Sequence, residues 1–113
     1  MEEEKISYDS FERIDLRVGK IINVEDHPKA DKLYILTVDL GEENARTIVA
    51  GLKKHYKKEE LKGKKAIFVA NLAPVILRGI ESNGMILASV SADESQVIIL
   101  QPEKDIKEGS KIR

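Results

Sequence analysis

The run LRVGKIINV, residues 16–24, decides how the chain is read. Leu16, Val18, Ile21, Ile22 and Val24 are β-compatible, and Gly19 interrupts them where a strand bends or bulges. A first strand curved at Gly19 follows. Downstream, HPKADKLYILTVDLG (residues 27–41) sets a proline-containing turn before Leu33, Ile35 and further branched residues. It predicts a second strand ending near Asp39, Leu40 and Gly41. After the polar turn EENAR, the short TIVAG run at 47–51 predicts a third strand.

LKKHYKKEELK at 52–62 places Leu52, Tyr56 and Leu61 near one side and lysines outward, with Gly63 as a stop, so a connecting helix is expected over 52–62. KAIFVANL predicts strand four from Lys65 to Leu72, closed off by Pro74, which has no backbone donor. A loop around Arg78 to Gly84 leads to strand five, Met85 to Ser89, and a further strand covers Val97 to Leu100. Upstream, the acidic start predicts a frayed end over residues 1–7 and a short turn around Ser10 and Phe11.

Five or more short strands with one helix favour an all-β small barrel over a helix bundle or a βαβ sheet. Ile98, Ile99, Leu100, Ile106 and Ile112 extend the apolar pattern beyond such a barrel. A 113-residue domain has limited core volume. Pairing of two tails across a two-fold axis would bury that surplus.

The chain carries 19 Lys and Arg against 20 Asp and Glu, a net charge of -1. That balance argues against a generally basic, tail-like nucleic-acid binder. The average conceals segregation. Residues 5–113 carry 19 basic side chains against 17 acidic ones, and Lys53 to Lys65 alone holds seven lysines against Glu59 and Glu60. Such a patch attracts phosphates, although an exposed lysine-rich helix face also serves solubility. Arg13, Arg17, Lys20, Lys29 and Lys32 add positive charge upstream, and Arg78 adds it in the later loop. RGIESNG, residues 78–84, has two readings. Arg78, Ser82, Asn83 and Met85 can form an RNA-contacting loop, or Asn83 and Gly84 can make a tight turn with Met85 filling the core.

Catalytic signatures are missing from the sequence. There is no Cys, which excludes disulfides, thiolate chemistry and Cys-containing zinc sites. His27 precedes Pro28 as a turn residue and His55 belongs to the expected helix, with no ligand motif around either. Ser82 has neither a nucleophile elbow nor a histidine partner, and no dinucleotide or P-loop glycine pattern occurs. No enzyme activity, cofactor or metal is expected. The start of the chain lacks the pattern of a secretory signal and no run reaches bilayer length, so a cytoplasmic protein without membrane contact is expected. With 4% aromatic residues, an extended base-stacking platform is hard to build, and shape and backbone recognition fit better.

DLRVGKI at 15–21, HPKADKLY at 27–34, TIVAGL at 47–52, VANLAPVILRGIESNGMILA at 69–88 and the closing PEKDIKEGSKIR occur in order over nearly the whole chain. In these segments the sequence closely resembles the tRNA-binding domain family, found as freestanding dimers, at the end of methionyl-tRNA synthetases and in synthetase-associated factors. The resemblance implies a single OB-fold domain over 1–113, a five-stranded Greek-key barrel whose C-terminal β extension, 93–113, is used in dimerisation. It also implies binding to the outside corner of folded tRNA rather than to the anticodon sequence. Lys32, Asn71, Arg78, Ser82 and Met85 occupy motif positions associated with the tRNA-facing surface. Arg78 would contact the sugar-phosphate backbone, while Asn71 and Ser82 would orient the loop or bond to RNA. Lys53 and Lys57 are added as steering candidates on charge alone. Neither HIGH-like nor KMSKS-like motifs are present, so the expected role is to assist aminoacylation, as a freestanding binder or the β subunit of a split methionyl-tRNA synthetase. The expected partners are tRNA, a second copy and the synthetase catalytic subunit. Two alternatives are a protein-interaction scaffold of a synthetase complex and a general single-stranded nucleic-acid OB domain. Convergence of Lys32, Arg78 and the Lys53–Lys65 patch near the Ser82 loop would favour RNA over a scaffold.

Overall fold

The computed structural model describes residues 4–113. The expected fray over residues 1–7 lies partly outside them; Ser7 accepts the Ser10 N–H and caps a one-turn helix α1, Tyr8–Glu12. Three strands follow as a meander: β1 (Leu16–Asp26), β2 (Tyr34–Asp39) and β3 (Arg46–Ala50). After α2 (Lys58–Leu61) the chain continues through β4 (Lys65–Val69), β5 (Val75–Leu77), β6 (Ile80–Ser82), β7 (Met85–Ile86), β8 (Ala88–Val90) and β9 (Val97–Ile99).

The main sheet has the order β3-β2-β1-β4-β7, all antiparallel. The β3 edge is met by the end of β6, just before β7, where the Asn83 N–H donates to Thr47 O and the Val49 N–H donates to Ser82 Oγ. The result is an OB-like, nearly closed five-stranded barrel with its short helix between β3 and β4. Period-two alternation sends Tyr34, Leu36 and Val38 inward from β2, where they meet Ile21, Ile48, Ala66 and Phe68.

The bulge in β1 falls at Ile22, not at Gly19 as the sequence predicted. Ile21 pairs with Val38 and Asn23 with Thr37, so Ile22 is the extra residue. This shifts the phase so that Ile21 and Val24 are both buried while Ile22 is exposed. Gly19 pairs regularly with Ala66; a Cβ there would stand 2.7 Å from both the Leu40 and Phe68 side chains. Its missing side chain is what admits Phe68 to the core.

The helix expected over 52–62 shrinks to Lys58–Leu61. At about 100° per residue, Leu52 and Leu61 would point to opposite sides of a continuous helix. Instead a turn at 52–56, closed by the Tyr56 N–H to Leu52 O, and extended backbone at Lys57 bring both leucines into the core. The Tyr34 hydroxyl donates to Tyr56 O, and the Tyr56 hydroxyl accepts the Ile99 N–H.

Three other boundaries differ from expectation. β4 ends at Val69 rather than Leu72, the predicted 78–84 loop contains half of the β5–β6 hairpin, and the strand expected at 85–89 is split at Leu87. Leu87 donates to Ile67 O and accepts from the Leu100 N–H, so the chain changes partner there from β4 to β9. The C-terminal extension folds back on its own barrel. Val18 and Ile112 donate to Ser110 O and Leu16 O, Gly109 donates to Val18 O, and Lys111 bridges to Arg17, occupying the edge of β1 that β2 leaves free. Ile99 joins the core, whereas Val90, Ile98, Leu100 and Ile106 stay exposed.

Candidate functional site

The hairpin β5–β6 stands apart from the main sheet and turns on two residues, Arg78 and Gly79, because Leu77 pairs directly with Ile80. Both have positive φ, 53° and 91°. Two consecutive left-handed residues make a type I′ turn, whose twist matches that of the flanking strands. Glycine adopts this freely, while arginine is held there at a cost of order 1 kcal/mol. The turn places the exposed Arg78 at the tip of the hairpin.

That tip is tied to the β1–β2 connection. Arg78 Nη2 donates to Lys29 O at 3.1 Å, and the buried His27 ring lies against the other strand end, its Nε2 3.0 Å from Leu77 O. His27 Nδ1 accepts the Lys29 N–H at 3.0 Å, which leaves Nε2 carrying the ring proton and donating to Leu77 O. The preceding residue, Asp26, receives Lys53 at 3.1 Å and Lys58 at 2.9 Å. Hydrogen bonds from Lys58 and then Lys53 hold its carboxyl below the usual range. Arg78 and Lys53 are thus tied to the same stretch, Arg78 through the Lys29 carbonyl and Lys53 through Asp26, and Lys29 and Lys32 are exposed on the 27–33 connection.

The other predicted residues form a second group at the exit of β4. Asn71 Oδ1 accepts the Asp15 N–H at 2.8 Å and its Nδ2 donates to Arg13 O at 2.7 Å, so its amide pins the α1–β1 connection. Ser82 is buried and uses its hydroxyl internally, accepting from Val49 N–H and donating to Gly84 O. This geometry is that of a residue orienting the loop. Met85 is 45% exposed and lines a groove of about 820 Å³ with Ile14, Leu72 and Leu87, outside the core. Ser82 lies at the base of the hairpin and Arg78 at its tip, roughly 10 Å along the strand. Lys57 is exposed at the start of α2 and belongs to neither group.

Sequence reasoning missed Arg46, which joins the second group together. Nε and Nη2 clamp Glu42 at 2.8 Å each, and Nη1 donates to Ala70 O and Asn83 O, the neighbours of Asn71 and Ser82. The Arg46 hydrogen bond lowers the Glu42 pKa, and an equivalent bond from Arg17 lowers that of Asp15. A lone arginine after a polar turn carries no sequence signal for this role.

The seven lysines of 53–65 also disperse. Lys53 and Lys58 sit on Asp26, Lys64 lies 5.8 Å from the Tyr56 ring centre, and Lys65 pairs with Asp105 and Glu108 at the tail. The patch is therefore not one helix face.

A family model, "Putative tRNA binding domain", matches residues 16–111. The chain is 57% identical over 112 residues to the methionine–tRNA ligase of Pyrococcus horikoshii, covering 99% of this chain and 15% of that protein. Against the methionine–tRNA ligase of Methanocaldococcus jannaschii it is 53% identical over 113 residues, covering 100% and 17%. It thus spans about 15% of the length of these curated relatives. The crystal structure of a MetRS related protein from Pyrococcus horikoshii superposes with a TM-score of 0.91 at 33% identity, over 98% of this chain and 100% of that one. A CsaA chaperone protein from Picrophilus torridus gives 0.86 at 33% identity, over 96% and 100%. The shared segment corresponds to a non-catalytic module of the ligases rather than to their active site.

Proposed function

Because the chain belongs to the tRNA-binding domain family, we propose that it binds the outside corner of folded tRNA and assists aminoacylation by methionyl-tRNA synthetase. The observation carrying this reading is the clasp in which the exposed Arg78 donates to the Lys29 backbone carbonyl, holding a cationic hairpin tip against a second, lysine-bearing segment. Phosphates of a folded RNA corner come from more than one strand, and a surface built from two segments suits them.

The aromatic inventory supports shape recognition over single-strand binding. Tyr34 and Phe68 are buried, Phe11 and Tyr56 are partly covered, and Tyr8 is the one well-exposed ring among the described residues. Successive stacked bases have no platform. Arg78 is tied to the backbone of the 27–33 connection, which carries the exposed Lys29 and Lys32, and this favours RNA over a scaffold role. The lysines of 53–65 disperse and Ser82 lies at the other end of the hairpin, so the wider convergence of Lys32, Arg78 and that patch at the Ser82 loop is not met. The exposed Val90, Ile98, Leu100 and Ile106 support association of two copies through the C-terminal extension, which would present the hairpin twice.

Titrations of intact tRNA, unfolded RNA and duplex DNA at several salt concentrations test the reading. Intact tRNA should bind most tightly, with affinity falling as salt rises, and Arg78→Ala should weaken binding and lower the salt slope by about one. Equal affinity for all three nucleic acids would refute it.

A further inference from the structure

His27 is a buried polar side chain, 4% exposed, that no charge pattern singled out. Its ring fills the gap between the β1–β2 connection and the end of β5, and each ring nitrogen has one partner, on opposite sides of that gap. Nδ1 receives the Lys29 N–H and Nε2–H reaches Leu77 O. Arg78 makes the return bond to Lys29 O. The two segments are therefore linked twice, by His27 toward the residue before Arg78 and by Arg78 toward the residue two after His27.

We infer that His27 is a positioning residue for RNA binding, setting the place and direction of the Arg78 guanidinium through Leu77. The inference rests on the tRNA reading above. A two-stranded hairpin of three residue pairs is marginal by itself, so its tip needs an external anchor to hold one orientation. Among the described residues, His27 supplies the side-chain bond to its last backbone carbonyl before the turn. With Arg78 held in the left-handed region, the direction of its side chain follows the turn, and the turn follows Leu77. Fixing the hairpin in advance removes ordering cost from the binding step.

Two replacements separate the two ring nitrogens. His27→Asn keeps an acceptor near the Nδ1 position for Lys29 but cannot reach Leu77, whereas His27→Gln carries a donor to the Nε2 position. The test is tRNA titration over a range of salt for the full chain, its His27→Asn, His27→Gln and Arg78→Ala forms, and the His27→Asn/Arg78→Ala double variant, with thermal melting alongside. His27→Asn is expected to weaken binding roughly tenfold and to lower the salt slope by about one, as Arg78→Ala does. His27→Gln should restore most of the affinity, and the double variant should bind like Arg78→Ala alone. A His27→Asn protein that melts lower but keeps the full salt slope would overturn the inference while leaving the tRNA reading standing. An Arg78→Ala protein that binds like the original would overturn both. Imidazole ¹⁵N shifts of the unaltered protein give a check that needs no variant: the proton must be on Nε2, and a proton on Nδ1 instead would overturn the inference.

Discussion

Ser82 Oγ accepts the Val49 N–H at 2.9 Å, a side-chain bond that takes the place of a backbone ladder bond where the barrel closes between β3 and β6. Both residues are buried, so no water replaces it. Ser82→Ala should therefore leave an unpaired donor and lower stability by about 1–3 kcal/mol, measured by denaturant unfolding at pH 7. An unchanged midpoint would show that the closure does not depend on this hydroxyl.

Arg46 ties the β2–β3 turn to the residues flanking Asn71 and Ser82, with its side chain mostly covered. Arg46→Lys retains the charge but not the fork that grips Glu42 while reaching two carbonyls. A loss of about 2 kcal/mol is expected, with faster amide exchange at Asn83, whose N–H bonds to Thr47 O. Exchange at Asn83 as slow as in the unaltered protein would contradict this.

The tail depends on a close backbone crossing. A Cβ on Gly41 would stand 2.6 Å from Glu108 O and one on Gly109 2.8 Å from Leu40 O, and both residues have positive φ. Gly109→Ala should detach residues 109–112 from β1, seen as loss of exchange protection at Val18 and Ile112 while Phe68 stays protected. Uniform protection in the variant would refute the crossing.

Acid should destabilise the protein in stages. Asp15 and Glu42 are depressed by arginine hydrogen bonds, and Asp93 is lowered to about 2 by the Ser95 N–H, then by the Ser95 and Ser91 hydroxyls. A carboxyl with a folded pKa below its unfolded value contributes stability above the unfolded value and loses it as pH falls through the folded one. Urea midpoints should hold from pH 7 to about 5 and fall below about 4, near the ordinary carboxyl range. The gap between the unaltered protein and Asp93→Asn should close between about pH 4 and pH 2.

Much of this architecture was legible because strand alternation and turn residues are local signals. The runs at 16–24, 33–41, 47–51 and 65–72 each hold a barrel strand, the last ending early at Val69. The helix failed because Leu52, Tyr56 and Leu61 suggest one face only until their angular spacing is measured, and the bulge moved from Gly19 to Ile22 because a glycine that makes room for Phe68 looks in sequence like a glycine that bends. At the site, Arg78 was legible as a cation beside a glycine. Its anchorage was not: His27 and Leu77 lie 50 positions apart, and their bond uses a backbone carbonyl that any residue would supply. Ser82 and Asn71 carried polar groups consistent with RNA contact, yet their geometry turns those groups toward the backbone of neighbouring segments.

In the proposed function, the Arg78 hairpin and the connection it is clasped to recognise the corner of a folded tRNA. Backbone cleavage of end-labelled intact tRNA, with and without the protein, reads this directly. Protection should be confined to the outside corner, survive removal of the anticodon stem-loop, and weaken with Arg78→Ala. Protection centred on the anticodon loop, or spread evenly along the molecule, would contradict the account.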